Sequence, residues 1–131
     1  MNDHEKGFLR FVARHRAPRL EHLMTSGEKG RSKLRALLAN DIQLDSDYAS
    51  LIPSNQQFSE PVFQILLNEG APDRCFILSE HAELDGTEMT LRRATREFVG
   101  SNIGTFISCI PGKLGYYEED AVKRRYLLKR S

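Results

Sequence analysis

The pattern of apolar residues between positions 74 and 110 constrains the fold of this chain most strongly. Arg74 to Ser79 and Thr105 to Ile110 are short runs rich in strand-forming residues. Residues 91–99 between them have apolar side chains on one helical face and arginines on the other. The pattern predicts a crossover helix that packs on a sheet and makes the two strands parallel if they share that sheet.

The remaining segments complete an α+β pattern. Lys113 to Glu118 follows the turn pair Pro111 and Gly112 and predicts a hairpin partner, and Arg124 to Lys129 predicts a final strand. Residues 8–16 have apolar side chains at helical spacing, and two further short helices are predicted before residue 40. We therefore expect N-terminal short helices packed on a small mixed β-sheet of about four strands with one crossover helix.

Length and composition favour a single domain over residues 1–131. A chain of this length, with 40% hydrophobic and 28% charged residues, can bury a core of its own. The expected parts are a helical lobe at about 1–40, a loop at about 41–59, and a helix and sheet lobe at about 60–131. No apolar run approaches the roughly 18 residues of a membrane span, and the N-terminus lacks the apolar core of a signal peptide. We expect a cytoplasmic protein with no membrane association.

The net charge of +1 is the result of three unequal blocks. Residues 1–40 carry +5, residues 41–90 carry −9 and residues 91–131 carry +5. Either the acidic middle neutralises the basic ends within the fold, or the basic ends present a cationic surface to a partner. The candidate binding residues of such a surface are the cations of the two ends: Arg10, Arg14, Arg16, Arg19, Lys29, Arg31, Lys33, Arg35, Arg124 and Arg125.

The C-terminal cations suggest a nucleic-acid alternative. Lys123, Arg124 and Arg125 occur near tyrosines, and aromatic side chains interleaved with cations on a sheet are the components of single-strand stacking platforms. The tyrosines concerned are Tyr116, Tyr117 and Tyr126. A sequence pI near 7.8 and the lack of a known nucleic-acid motif argue against this alternative.

The templates for nucleotide and metal sites do not match. The segment Gly27 to Ser32 has two residues between its glycines where a P-loop needs four, and it has Arg31 in place of the P-loop lysine. The aspartates at 41, 45 and 47 do not have EF-hand spacing, and no cysteine or histidine spacing matches a zinc site. We expect no metal and no cofactor.

Cysteine chemistry provides the one catalytic hypothesis. Cys109 lies near the end of a predicted strand, and His81 and Asp85 follow the strand that is expected to pair with it. A nucleophile, a base and an orienting carboxylate would then meet at one edge of the sheet. The alternative is that Cys75 and Cys109, both inside apolar runs, are reduced core thiols.

These observations favour a small soluble interaction or regulatory protein that is not an enzyme. In this hypothesis, a basic helical surface contacts a protein or another polyanion. Two alternatives remain: a nucleic-acid-binding protein that uses the same cations, and a Cys-dependent hydrolase or transferase. The sequence does not specify the oligomeric state.

Overall fold

A computed structural model describes residues 1–121 and 124–131 of the chain. Within these residues the polypeptide forms five α-helices, one short 3-10 helix at Ser54–Gln56 and six β-strands. The helices are α1 Asp3–Leu9, α2 Ala17–Met24, α3 Gly27–Asn40, α4 Ser59–Asn68 and α5 Leu91–Phe98. The strands are β1 Ala49–Leu51, β2 Arg74–Ser79, β3 Glu88–Thr90, β4 Thr105–Ile110, β5 Leu114–Glu118 and β6 Arg125–Lys129.

The six strands form one antiparallel sheet with the order β1-β6-β5-β4-β2-β3. Side chains alternate between its two faces, so each central strand contributes to two cores. Ile107 and Tyr116 belong to the core beneath α4 and α5, whereas Phe106 and Tyr117 belong to the core beneath α1 to α3. The α+β class predicted from the sequence is confirmed, with helices on both faces of the sheet.

The N-terminal helices cover one face because most of their large apolar side chains are buried there. Asn2 and Glu5 form a capping box that begins α1, which ends at Leu9. The predicted helix over residues 8–16 is therefore wrong in position, although Phe8 and Phe11 are fully buried. After α1 the backbone of residues 11–13 pairs with residues 43–45, through Asp45 N to Phe11 O at 2.8 Å and Ala13 N to Gln43 O at 2.8 Å, and this pairing replaces further helix.

Helix α5 packs on the other face as its apolar stripe predicts. The Thr90 hydroxyl caps the helix by accepting a hydrogen bond from Arg93 N at 3.2 Å. Leu91 and Phe98 are each 1% exposed, whereas Arg93 and Arg96 point to solvent. Burial of two such side chains contributes about 1.5–3 kcal/mol each and outweighs helix propensity.

Three details of the sheet differ from the prediction. It has six strands rather than about four, and it is antiparallel rather than mixed. The two unpredicted strands are β1 and β3, and β3 is the reason for the antiparallel arrangement: it pairs with one side of β2 while β4 pairs with the other side. Helix α5 is a crossover, but it joins β3 to β4, which run in the same direction on either side of β2. The predicted loop at 41–59 contains the edge strand β1.

Candidate functional site

A surface cleft of about 550 Å³ lies beside the turn that joins α1 to α2. Its walls come from three distant parts of the chain, namely residues 9–21, residues 45–48 and Arg130. The pairing of residues 11–13 with 43–45 brings the first two parts together. Arg130 follows β6, and its backbone N–H donates to Lys113 O at 2.8 Å. Its side chain lines the same cleft. We name this feature the α1/α2 cleft.

Three arginines line the α1/α2 cleft. Arg10 lies over the turn at Gly112, and a side chain added at that glycine would approach the Arg10 Cδ to 3.0 Å. Arg130 lies over the ring of Tyr48 at 4.3 Å and donates from Nη1 to the carbonyl of Arg10 at 3.1 Å. Arg14 is exposed. Among the described residues, no carboxylate lies within 4.0 Å of these three guanidinium groups.

Three carboxylates line the same cleft. Asp45 is half-buried, and its Oδ1 accepts a hydrogen bond from the backbone amide of Asp47 at 3.0 Å. Asp47 itself and Glu21 on α2 are exposed and point to solvent. The cleft therefore combines both signs of charge, and its six charged side chains form no ion pair with one another in the described part of the chain.

Three of the predicted N-terminal binding residues are neutralised by carboxylates. Arg31 lies between Glu5 on α1 and Asp85, whose Oδ2 is 2.7 Å from its Nε. Burial acts to raise the pKa of Glu5, but the hydrogen bonds from Arg31 and from the backbone of the capping box outweigh it, so this pKa is lowered. Arg35 contacts Glu28 and Asp85, and Arg16 lies 3.5 Å from Asp41.

Arg125 is the fourth predicted binding residue with an internal role. It is 9% exposed, and its Nε lies 3.4 Å from the fully buried carboxylate of Glu118. Its Nη1 donates to Gln57 O at 2.8 Å and its Nη2 donates to Asn102 Oδ1 at 3.0 Å. Glu118 accepts hydrogen bonds from Gly100 N at 2.9 Å, Asn102 N at 2.7 Å and the Tyr116 hydroxyl at 2.6 Å. Arg125 therefore stabilises the loop between α5 and β4.

The other predicted cations remain at the surface. Arg19, Lys29 and Lys33 are exposed, and in the described part of the chain no carboxylate lies within 4.0 Å of them. Arg124 is exposed, and a hydrogen bond with Tyr126 raises its pKa. Lys123, which the sequence places in the C-terminal basic cluster, lies outside the described residues.

The acidic block of residues 41–90 neutralises part of each basic end. Ion pairs cross the block boundaries at both ends, so the intramolecular explanation of the charge pattern applies to these residues. The pairs are Arg16 with Asp41, Arg31 with Asp85, Arg35 with Asp85, Arg92 with Glu60, and Lys129 with Glu69. Both basic ends keep exposed cations that have no carboxylate within 4.0 Å among the described residues; they include Arg14, Arg19, Lys29 and Lys33 at the N-terminal end and Arg96, Lys113 and Arg124 at the C-terminal end.

Two of the tyrosines proposed as a stacking platform are buried in the core. Tyr116 and Tyr117 are 0% and 1% exposed, and they point to opposite faces of the sheet. Their hydroxyls donate to Glu118 and to the carbonyl of Leu38, and burial raises the pKa of both. A platform that uses these two rings is therefore not present, and Tyr126 is half-buried.

The structure does not bring Cys109 together with His81 and Asp85. Strand β4 is antiparallel to β2, so Cys109 lies beside the start of β2 while His81 follows its end, roughly 20 Å away at 3.3 Å per residue. Asp85 binds Arg31 and the amide of Ser79 instead. Cys109 is 2% exposed, and burial raises the pKa of its thiol far above neutral pH.

Sequence reasoning missed Tyr48, Asp45, Asp47 and Arg130 as neighbours of Arg10 and Arg14 at one cleft. The two aspartates have the turn chemistry expected of a loop, and nothing in their spacing indicates contact with α1.

Among the described residues there is no group of three potential metal-ligating side chains, and no helix there has the length and apolar character to cross a bilayer. No protein-family model matches the chain, and comparisons with curated proteins and with solved structures find no significant match.

Proposed function

We propose that this protein is a non-catalytic interaction module that contacts a partner protein through the basic outer surface of α1 to α3. One observation carries the proposal: Arg10 and Arg14 line a surface cleft with no carboxylate within 4.0 Å among the described residues, whereas Arg16, Arg31 and Arg35 have such partners. Charged groups left at a surface in this way steer and orient association. Arg19 on α2 and Lys29 and Lys33 on α3 are exposed as well, and they add further positive charge to the N-terminal helices.

The carboxylates of the cleft favour a protein over a nucleic acid as the partner. A nucleic-acid backbone carries one sign of charge, and it would approach Glu21, Asp45 and Asp47 together with the arginines. The burial of Tyr116 and Tyr117 removes two of the rings that would stack on bases. A protein surface can present acidic side chains to the arginines without a continuous anionic backbone.

The test measures binding of a fluorescently labelled acidic peptide by anisotropy. We use a twelve-residue peptide of glutamate in a glycine and serine background, and a single-stranded oligonucleotide of equal charge. The variant Arg10→Gln with Arg14→Gln removes two cations from the cleft. The matched control, Arg74→Gln with Arg96→Gln, removes two exposed cations outside the cleft that also have no carboxylate within 4.0 Å among the described residues.

We expect the cleft variant to weaken binding of the acidic peptide about two- to thirtyfold, since it removes two exposed ion pairs that contribute about 0.2–1 kcal/mol each. The control should change it less than twofold, and binding should weaken as salt rises from about 50 to 200 mM. Equal effects of the two variants, or no measurable binding at low salt, would contradict the proposal. Tighter binding of the oligonucleotide, with a loss on the cleft variant, would favour the nucleic-acid alternative instead.

A further inference from the structure

The α1/α2 cleft brings charges of both signs to one surface without pairing them. Six arginines of the described residues, among them Arg31 and Arg93, contact carboxylates directly, as Arg31 contacts Asp85 at 2.7 Å and Arg93 contacts Glu97 at 2.8 Å. In the cleft, Arg10, Arg14 and Arg130 share one concave surface with Glu21, Asp45 and Asp47, yet none of these opposite charges lies within 4.0 Å of another.

Two of these groups have other contacts. The Arg130 guanidinium lies over the Tyr48 ring at 4.3 Å, and its Nη1 donates to the carbonyl of Arg10 at 3.1 Å. The Asp45 carboxylate is engaged by the backbone amide of Asp47 at 3.0 Å. The positive and the negative groups are therefore both presented to whatever enters the cleft.

A ligand with a single sign of charge would meet like charge on one part of this surface. An acidic segment pairs with the arginines but is repelled by the carboxylates. A basic segment pairs with the carboxylates but is repelled by the arginines. A segment that carries both signs satisfies both sets of groups. The volume of about 550 Å³ lies within the roughly 300–1,000 Å³ of ligand-binding pockets and accommodates a few side chains.

We propose that the α1/α2 cleft binds a segment of the partner protein in which acidic and basic side chains occur within a few residues of each other. The acidic side chain pairs with Arg10 and Arg14, and the basic one pairs with Asp47 and Glu21. This inference rests on the proposed function and specifies the chemistry of the partner at that surface.

The experiment compares three labelled eight-residue peptides with a glycine and serine background. One carries four glutamates, one carries four lysines, and one carries two of each in alternation. The variant Asp47→Asn removes a cleft carboxylate and keeps the backbone amide that Asp45 accepts from. Asp73→Asn is the matched control, because Asp73 is also an exposed aspartate but does not line the cleft.

We expect the mixed peptide to bind more tightly than either single-sign peptide. Asp47→Asn should weaken the mixed peptide about two- to fivefold and strengthen the all-glutamate peptide by a similar factor, which is the range for one exposed ion pair. Asp73→Asn should change neither. A mixture of free glutamate and free lysine at the same concentration should not compete, because only a linked segment reaches both groups at once.

The outcomes separate this inference from the proposed function. If the all-glutamate peptide binds best and loses affinity with Arg10→Gln and Arg14→Gln, while Asp47→Asn has no effect, the mixed-charge inference is refuted and the proposed function remains. If the arginine variant leaves all three peptides unaffected, both are refuted. Competition by the free amino acids refutes the assignment of a protein segment. Circular dichroism and thermal unfolding confirm that each surface variant retains the fold.

Discussion

Replacement of Glu118 by Gln should destabilise the protein more than any change at its surface. The Glu118 carboxylate is 0% exposed, lies 3.4 Å from Arg125 Nε and accepts two backbone amides of the loop at residues 100–102. Glutamine keeps the size but removes the charge opposite Arg125, and it places an amide donor where an acceptor is needed. Breaking one side of a buried ion pair costs about 3–5 kcal/mol.

Urea unfolding at neutral pH measures this loss. Total stability is expected to be about 5–15 kcal/mol, so the variant should remain folded without denaturant in most of that range. With a urea m value of about 1–3 kcal/mol/M, the unfolding midpoint should fall by roughly 2 M. Glu97→Gln is the control: it removes the carboxylate that pairs with Arg93 on the surface and should change stability by about 0.5 kcal/mol or less.

A double-mutant cycle with Arg125→Met tests the reason for the loss. If the cost of Glu118→Gln comes from the uncompensated Arg125 guanidinium, the double variant should be less destabilised than the sum of the single variants by about 1–3 kcal/mol. Strict additivity of the two changes, or a Glu118→Gln variant as stable as Glu97→Gln, would refute the assignment of a buried ion pair that stabilises the loop.

Three further changes have predicted outcomes. Iodoacetamide at neutral pH should label Cys75 and Cys109 only after denaturation. The reason is that burial raises the pKa of the Cys75 thiol to about 12 and raises the pKa of the Cys109 thiol further. Labelling of either thiol in the native protein would favour the Cys-dependent enzyme hypothesis. Gly104→Ala should lower the melting temperature by several degrees, because the added Cβ would overlap the backbone at the end of α3; an unchanged melting temperature contradicts this. The pKa of Glu5 is lowered in the folded state, so its contribution to stability is present above its ordinary pKa near 4.5 and is lost as pH falls through the folded value. Glu5→Gln should therefore reduce the loss of unfolding free energy between about pH 6 and 3, and an unchanged pH profile would contradict the role of its pairing with Arg31.

The sequence predicts correctly those elements whose apolar residues are periodic over enough positions to distinguish a helix from a strand. Helix α5 is correct in its buried face, because a stripe with arginines opposite it fits no other element. Strand β3 is missed because it has only three residues and its last one, Thr90, is also the cap of α5. Without β3 the crossover is assigned to the wrong pair of strands, and the sheet is predicted to be mixed.

The candidate site was predictable only in part. The charge blocks identify the cations, and Arg10 and Arg14 do line a cleft. Which cations are neutralised depends on contacts between distant positions, such as Arg31 with Asp85, and charge counting cannot specify those pairs. The same limit applies to Arg130, whose place beside Tyr48 follows from the pairing of β6 with β1.

The position of β6 between β1 and β5 has a consequence for biosynthesis. The two neighbours of β6 come from early and late parts of the chain, and Leu51 pairs with Tyr126. While the polypeptide is still emerging from the ribosome, β1 has no strand beside it until nearly all of these residues have been translated. Pairing over so many residues slows the formation of this edge, and chaperones that shield unpaired strands during synthesis can act on β1 in that interval.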